Sequence, residues 1–236
     1  MKINTYSSKK LIHETVKALN RKLGTLKNAP YLLMLSGGSS LALLNFIDTT
    51  IIHENATITV LDERHSKDEN ECNFSQIMAT GFYGKARGSG AKFIDIRMKN
   101  NESLEDHGER FDRELKNWRV HNPSAPIIAT IGIGSDGHVA GMMPYPHDKS
   151  LFFKHFQGHR WAVGYNAGAK NLLPLRVTVT IPFLRDQVFF AVSFVSGAEK
   201  KDTLKRASAN EGILADTPAR ILCEMKDVNI FTNIKL

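Results

Sequence analysis

The chain has 236 residues, 42% hydrophobic and 23% charged, and 31 Lys and Arg against 24 Asp and Glu give a formal charge of +7 with a pI near 9.4. That length buries a substantial core in one large or two small domains, and no apolar run approaches the roughly 20 residues of a membrane span. The opening residues MKINTYSSKKL lack the apolar core of a signal peptide, so the expected location is the cytoplasm, with no membrane partner.

Over residues 8–26, Ile12, Val16, Leu19, Leu23 and Leu26 recur at steps of four and three, the face of an amphipathic helix. YLLMLS at 31–36 is a short unbroken apolar run, which predicts a strand covered on both faces, as in a parallel sheet. A helical pattern resumes over 41–52, ATITVLDE at 56–63 is a β-branched strand, 73–80 is helical, and KFIDI at 92–96 is a short strand. Residues 103–118 place Leu104, Phe111, Leu115 and Trp118 on one helical face, with Ser103 and Asp106 spaced as a capping box. APIIATIGIG, RVTVTIPF and QVFFAVSFV then read as strands, GAEKKDTLKRA as a helix, TPARILCEM as a short helix with Pro218 in its first turn, and VNIFTN as a last strand. This alternation predicts a Rossmann-like α/β fold, a mostly parallel sheet with helices on both faces, in a single domain over 1–236. Residues 144–171, rich in His, Gly, Lys and Phe, fit either a mobile segment over a site or a long surface connection.

Composition narrows the chemistry. Cys72 and Cys223 allow one disulfide at most and sit in no metal-ligand spacing, and the nine histidines show no HExxH pair, so neither a metal enzyme nor a disulfide scaffold is indicated. The basic residues are dispersed and lack interleaved aromatics, so the positive charge points to small anionic ligands rather than to nucleic acid. The densest group, KKDTLKR at 200–206, fits a solvated helix face.

In open α/β sheets ligands gather at the carboxyl ends of the strands, and three such ends are unusual. SGGSS, Ser36 with Gly37, Gly38, Ser39 and Ser40, leaves backbone N–H groups exposed at a helix start, which suits a phosphate or serves only as a tight turn. LDERH, residues 61–65, puts charged side chains directly after an apolar strand, where they meet solvent or a polar ligand. GIGSDGHVAG, residues 132–141, turns on its glycines and brings Asp136 and His138 to the sheet mouth. A histidine there is suited to act as a general base, kept neutral by a nearby helix start and oriented by Asp136. The alternative is that Asp136 caps the following helix while His138 packs against it.

Taken in order, SGGSSLALL, LDERHSKDENECNF, GIGSDGHVAGMMP, RVTVTIPFL and SGAEK resemble the successive motifs of the 6-phosphogluconolactonases, a family that shares its superfamily with the glucosamine-6-phosphate deaminases. The resemblance extends from about residue 33 to 220. It implies hydrolysis of 6-phospho-D-glucono-1,5-lactone to 6-phosphogluconate in the oxidative pentose phosphate pathway, without metal or organic cofactor. The substrate partner is then a phosphorylated sugar lactone. Carried over by motif, His138 is the base that activates water and Asp136 its partner. Asp62 and Arg64 of DER, Arg176, Lys200 of GAEK, and Ser36, Gly37, Gly38 and Ser39 contact the substrate. The deaminase branch carries a glutamate before the proline that follows DGH; here that position is Met143, which can neither give nor take a proton. Cys72 in place of a serine, and Met142 and Met143 before Pro144 in place of leucine and phenylalanine, depart from the lactonase pattern and leave room for a different substrate or for a sugar-phosphate binder without catalysis.

Overall fold

The computed structural model describes residues 1–236, the side chain of Lys170 excepted. In chain order the strands are β1 (Lys2–Thr5), β2 (Tyr31–Leu35), β3 (Ala56–Val60), β4 (Asp62–Arg64), β5 (Lys92–Phe93), β6 (Ile127–Gly132), β7 (Ala162–Asn166), β8 (Leu175–Val179), β9 (Val188–Val195) and β10 (Val228–Thr232). The α-helices are α1 (Ser8–Gly24), α2 (Asn73–Met78), α3 (Gly81–Gly88), α4 (Leu104–His121), α5 (Lys149–Phe156) and α6 (Lys201–Ser208). Seven strands form one parallel sheet in the order β1-β10-β9-β6-β2-β3-β5. Both faces of its central strands are covered, which is why YLLML and ATITV have every residue buried and read as unbroken apolar runs. No described helix is long and apolar enough to cross a membrane.

The amphipathic patterns behave as their spacing requires. Leu11, Val16, Leu19 and Leu23 of α1 are buried, and α4 opens on the full capping box, Ser103 Oγ accepting from the Asp106 N–H while Asp106 accepts in return from the Ser103 N–H. The expected helix over 41–52 winds instead as 3-10 turns, Gly38–Phe46 and Thr49–Ile51. Ser40 and Leu43 are buried there three residues apart, the spacing that a three-residue turn places on one side. TPARILCEM likewise becomes a 3-10 turn, Pro218–Cys223, with Pro218 at its start.

The larger departure is a second sheet, three-stranded and antiparallel, in the order β4-β8-β7. The strand expected over 56–63 ends at Val60, and the chain changes sheets at Leu61. The Leu61 N–H donates to the Leu35 carbonyl in the large sheet, and its own carbonyl accepts from the Val179 N–H in the small one. RVTVTIPF, expected beside the other strands, supplies β8 of this small sheet. Residues 144–171 are not a bare surface connection. They form α5 and β7, with Phe152, Phe156 and Ala162 fully buried.

β2 pairs with β3 on one side and with β6 on the other, so the connections that leave their carboxyl ends diverge and open a crevice at that edge.

Candidate functional site

A cleft of about 320 Å3 occupies that crevice, and its walls come from the turn after β2, the turn after β6, the small sheet and the start of α6. Ser36, Gly37, Gly38, Ser39, Asp62, Arg64, His138, Arg176 and Lys200, all named from sequence, line it together. Asp136 stands directly behind His138.

The turn after β6 is built around the histidine. The Gly134 N–H donates to the His138 carbonyl at 3.0 Å, and the Gly137 N–H donates to the Gly134 carbonyl at 3.1 Å. Gly137 itself has φ 101°, a conformation that favours glycine. One Asp136 oxygen, Oδ1, accepts from the His138 N–H at 3.0 Å and meets His138 Nδ1 at 2.6 Å. With Nδ1 as the donor of that bond, the neutral ring keeps its acceptor nitrogen at Nε2. Burial alone would raise the Asp136 carboxyl. The hydrogen bond and charge of the His138 ring, with the backbone N–H, outweigh it and hold Asp136 below the usual range. Thr203 of α6 donates to the Ser135 carbonyl, and the Ala219 N–H donates to the Gly137 carbonyl, bracing the turn from behind.

No helix directly follows this turn, so Asp136 caps none. Residues 139–143 instead form short antiparallel bridges, Ile133 with Val139 and Val139 with Met142. The ring lines the cleft with its side chain 31% exposed, which sets aside the reading of His138 as a packing residue.

The serine and glycine turn contributes mainly backbone. The Ser36 hydroxyl donates to the Thr130 carbonyl at 2.8 Å and accepts from the Gly132 N–H at 3.2 Å, so it stitches β2 to β6. Gly37 is required by its neighbour, because a Cβ there would stand 2.1 Å from Asn73 Oδ1. Asn73 lines the cleft and donates from Nδ2 to the Asp62 carbonyl at 2.9 Å. Sequence reasoning missed it; its one signal was its place at the end of the HSKDENECNF run.

The charged wall comes from β4 and β8. Arg64 and Arg176 are partners in register across the antiparallel pair, so their side chains rise from the same face. Arg64 Nη1 donates to the Glu71 carbonyl at 2.7 Å; Arg176 Nε donates to the Leu173 carbonyl at 3.2 Å, and its Nη1 lies 3.4 Å from Asp62 Oδ2. Burial lowers the Arg176 pKa, with Asp62 acting in the opposite direction. Lys200 stands at the start of α6, and burial lowers its pKa too, against the pull of Glu199. Glu63 faces away from the cleft and caps α2 from a distance, its carboxylate accepting from the N–H groups of Arg64, Asn73 and Phe74. Burial pushes it up to about 7, against those three donors.

Three cationic side chains therefore share one small cleft with a histidine–carboxylate pair. That combination can hold a multiply charged anion at one end and deliver a base to an atom at the other. Met143, at the position of the deaminase glutamate, is wholly buried and away from the cleft.

A family model described as glucosamine-6-phosphate isomerases/6-phosphogluconolactonase matches residues 6–231. A probable 6-phosphogluconolactonase of Dictyostelium discoideum is 25% identical over 130 residues, which cover 52% of this chain and 49% of that protein. A 6-phosphogluconolactonase of Borreliella burgdorferi is 27% identical over 105 residues, 44% of this chain and 41% of that protein. The matched segments thus span less than half the length of these relatives. Among solved structures, a 6-phosphogluconolactonase from Shewanella baltica superposes with a TM-score of 0.80 at 17% identity, covering 98% of this chain and 97% of its own. One from Thermotoga maritima gives 0.73 at 19% identity, with 98% of each chain covered. At these identities the superpositions establish the fold.

Proposed function

The chain belongs to the glucosamine-6-phosphate isomerase/6-phosphogluconolactonase family, and from that membership we propose that it is a single-domain cytoplasmic enzyme that hydrolyses 6-phospho-D-glucono-1,5-lactone to 6-phosphogluconate in the oxidative pentose phosphate pathway. The observation that carries this reading is the Asp136–His138 pair, joined at 2.6 Å, in one cleft with Arg64, Arg176 and Lys200.

In this reading the phosphate binds to the arginine pair, Lys200 and the backbone N–H groups of the Gly37–Gly38–Ser39 turn, with the lactone ring toward His138. Anchoring one end turns a diffusive encounter into a positioned attack. His138 Nε2 takes a proton from water, the oxygen adds to C1, and Asp136 stabilises the imidazolium that forms. Collapse of the tetrahedral intermediate breaks the bond from C1 to the ring oxygen, which takes the proton back from Nε2. The open-chain acid then ionises to 6-phosphogluconate.

Deamination as the resemblance implies it would require a proton-transferring side chain where Met143 lies buried. The test is lactone hydrolysis with substrate generated in situ and the spontaneous rate subtracted. The wild type should exceed background, and His138→Ala should lose about 10²-fold or more. A folded wild type at the background rate, or an undiminished variant, refutes the proposal.

A further inference from the structure

The segment that follows His138 is held to the small sheet by two side chains with no part in the chemistry above. We propose that Tyr165 and Thr178 are positioning residues: they clamp the turn that carries His138 onto the sheet that carries Arg64 and Arg176, and so fix the distance between base and anion site. The inference rests on the lactonase reading for its effect on rate, but not for the clamp itself.

At Gly141 the backbone crosses the small sheet in contact. A Cβ there would stand 2.8 Å from the Thr178 Cβ and 3.2 Å from the Asp62 Cβ, two residues that are register partners. Both polar groups of Gly141 are engaged: its N–H donates to Thr178 Oγ1 at 2.9 Å, and its carbonyl accepts from the Tyr165 hydroxyl at 2.6 Å. The same Tyr165 oxygen accepts from the Met143 N–H at 3.2 Å. Tyr165 is the register partner of Arg176, and Arg176 that of Arg64, so the tyrosine and both arginines lie in one row across three strands, with Thr178 two residues along β8 from Arg176.

The clamp is stiff. Tyr165 is 3% exposed and Thr178 fully buried, and the Tyr165 ring packs edge-on against Phe156 of α5 with centroids 4.9 Å apart. Burial also keeps the phenol protonated, and so a donor, by raising its pKa. Between His138 and the clamp, Ala140 lines the cleft with φ 49°, a left-handed conformation that a residue with a Cβ keeps only where its surroundings enforce it. The bonds at Gly141 and Met143 supply that enforcement. Residues 144–171 thereby gain a role as a buttress, since α5 and β7 deliver and lock the tyrosine.

Tyr165→Phe keeps the ring and strands the Gly141 carbonyl and the Met143 N–H; Thr178→Val keeps the shape and strands the Gly141 N–H. Hydrogen–deuterium exchange reads the clamp without activity. Exchange across 139–143 should rise about tenfold or more in either variant while β6 is unchanged, and unaltered exchange overturns the clamp. In the lactone assay both variants should lose about tenfold or more in kcat, with KM and the competitive inhibition constant of inorganic phosphate held within about twofold. Thr178→Ser, which restores the acceptor, should recover most of kcat. Retained kcat, a loss confined to KM and phosphate affinity, or Thr178→Ser as impaired as Thr178→Val would each overturn the positioning role. If Tyr165→Phe does not fold, the valine and serine variants decide alone. A wild type without lactonase activity refutes the function and leaves the exchange experiment to judge the clamp.

Discussion

The hydrogen atom that serves as the side chain of Gly134 is a condition for the imidazole beside it. A Cβ at that position would stand 2.1 Å from His138 Nδ1 and 2.5 Å from Asp136 Oδ1, so Gly134→Ala must push the ring off its carboxylate. The expected result is a loss of about 10²-fold in kcat with little change in phosphate affinity, measured as competitive inhibition. Asp136→Asn probes the charge alone, since the amide oxygen can still accept from the His138 N–H. Its kcat should fall by about 10²-fold or more as imidazolium stabilisation is lost; a variant with normal kcat would remove Asp136 from the mechanism. His138, Asp136 and Arg64 were legible in the sequence because each sits just beyond an apolar run, where a sheet collects its ligands, whereas Arg176, at the start of such a run, and Lys200 were named only through the family resemblance. Asn73 and Tyr165 were not, because each reaches the site from an element whose place is set by tertiary packing, and nothing local distinguishes a phenol that bonds a distant backbone from one that fills a core.

Among the elements, α4 ties the small sheet and the 95–102 loop together through groups whose charge depends on pH. Glu102 meets Arg110 of α4 at 2.6 Å, both side chains nearly buried, and Arg110 also donates to the Arg97 carbonyl. Burial alone would raise Glu102, but its bonds to Arg110 and the Lys99 N–H carry it down to about 2 from 4.5. A lowered carboxyl stabilises the fold above its unfolded pKa and loses that contribution as pH falls, here between 4.5 and 2. His107, fully buried in α4 with its rings facing His65 and the Ile96 carbonyl, is lowered by burial from 6.5 to about 4. Between pH 6.5 and 4 the unfolded chain therefore binds a proton that the native state refuses, and stability falls over that window as well. Glu63, raised by burial to about 7, acts in the opposite sense between pH 7 and 4.5, so the upper window shows only the balance of the two. Urea titrations from pH 7 to 2 should show the Glu102 loss below pH 4.5, and Glu102→Gln should lower stability at pH 7 and erase that loss; a pH profile with the lower step intact would contradict the pairing. The capping box and apolar face of α4 are readable from its sequence, as they follow from neighbours three and four apart. The small sheet is not, because β4 pairs with β8 across about a hundred residues and each strand is too short to declare its partner.

For the molecule as a whole, a charge of +7 is ordinary until its placement is known. Arg64 and Arg176 stand opposite each other in register, an arrangement that costs stability between like charges, and Lys200 adds a third cation to the same cleft. Asp62 answers only Arg176, from 3.4 Å, so the protein without ligand retains a repulsion that an anion would relieve. The parallel order of the large sheet was legible from alternating helical and apolar segments, but this convergence of charge depends on the chain changing sheets at Leu61, where one apolar run serves two sheets. Its consequence is thermodynamic and independent of turnover. Inorganic phosphate at about a hundred times its dissociation constant should add about 2.7 kcal/mol to folding stability, a rise of roughly 5–10 °C in Tm for a chain of this size. Arg176→Ala should abolish that rise, whereas His138→Ala should preserve it, because the base lies outside the anion's first contacts. Chloride at equal ionic strength separates binding from screening: an equal rise with chloride would mean that the charges respond to salt in general and that the cleft has no phosphate site.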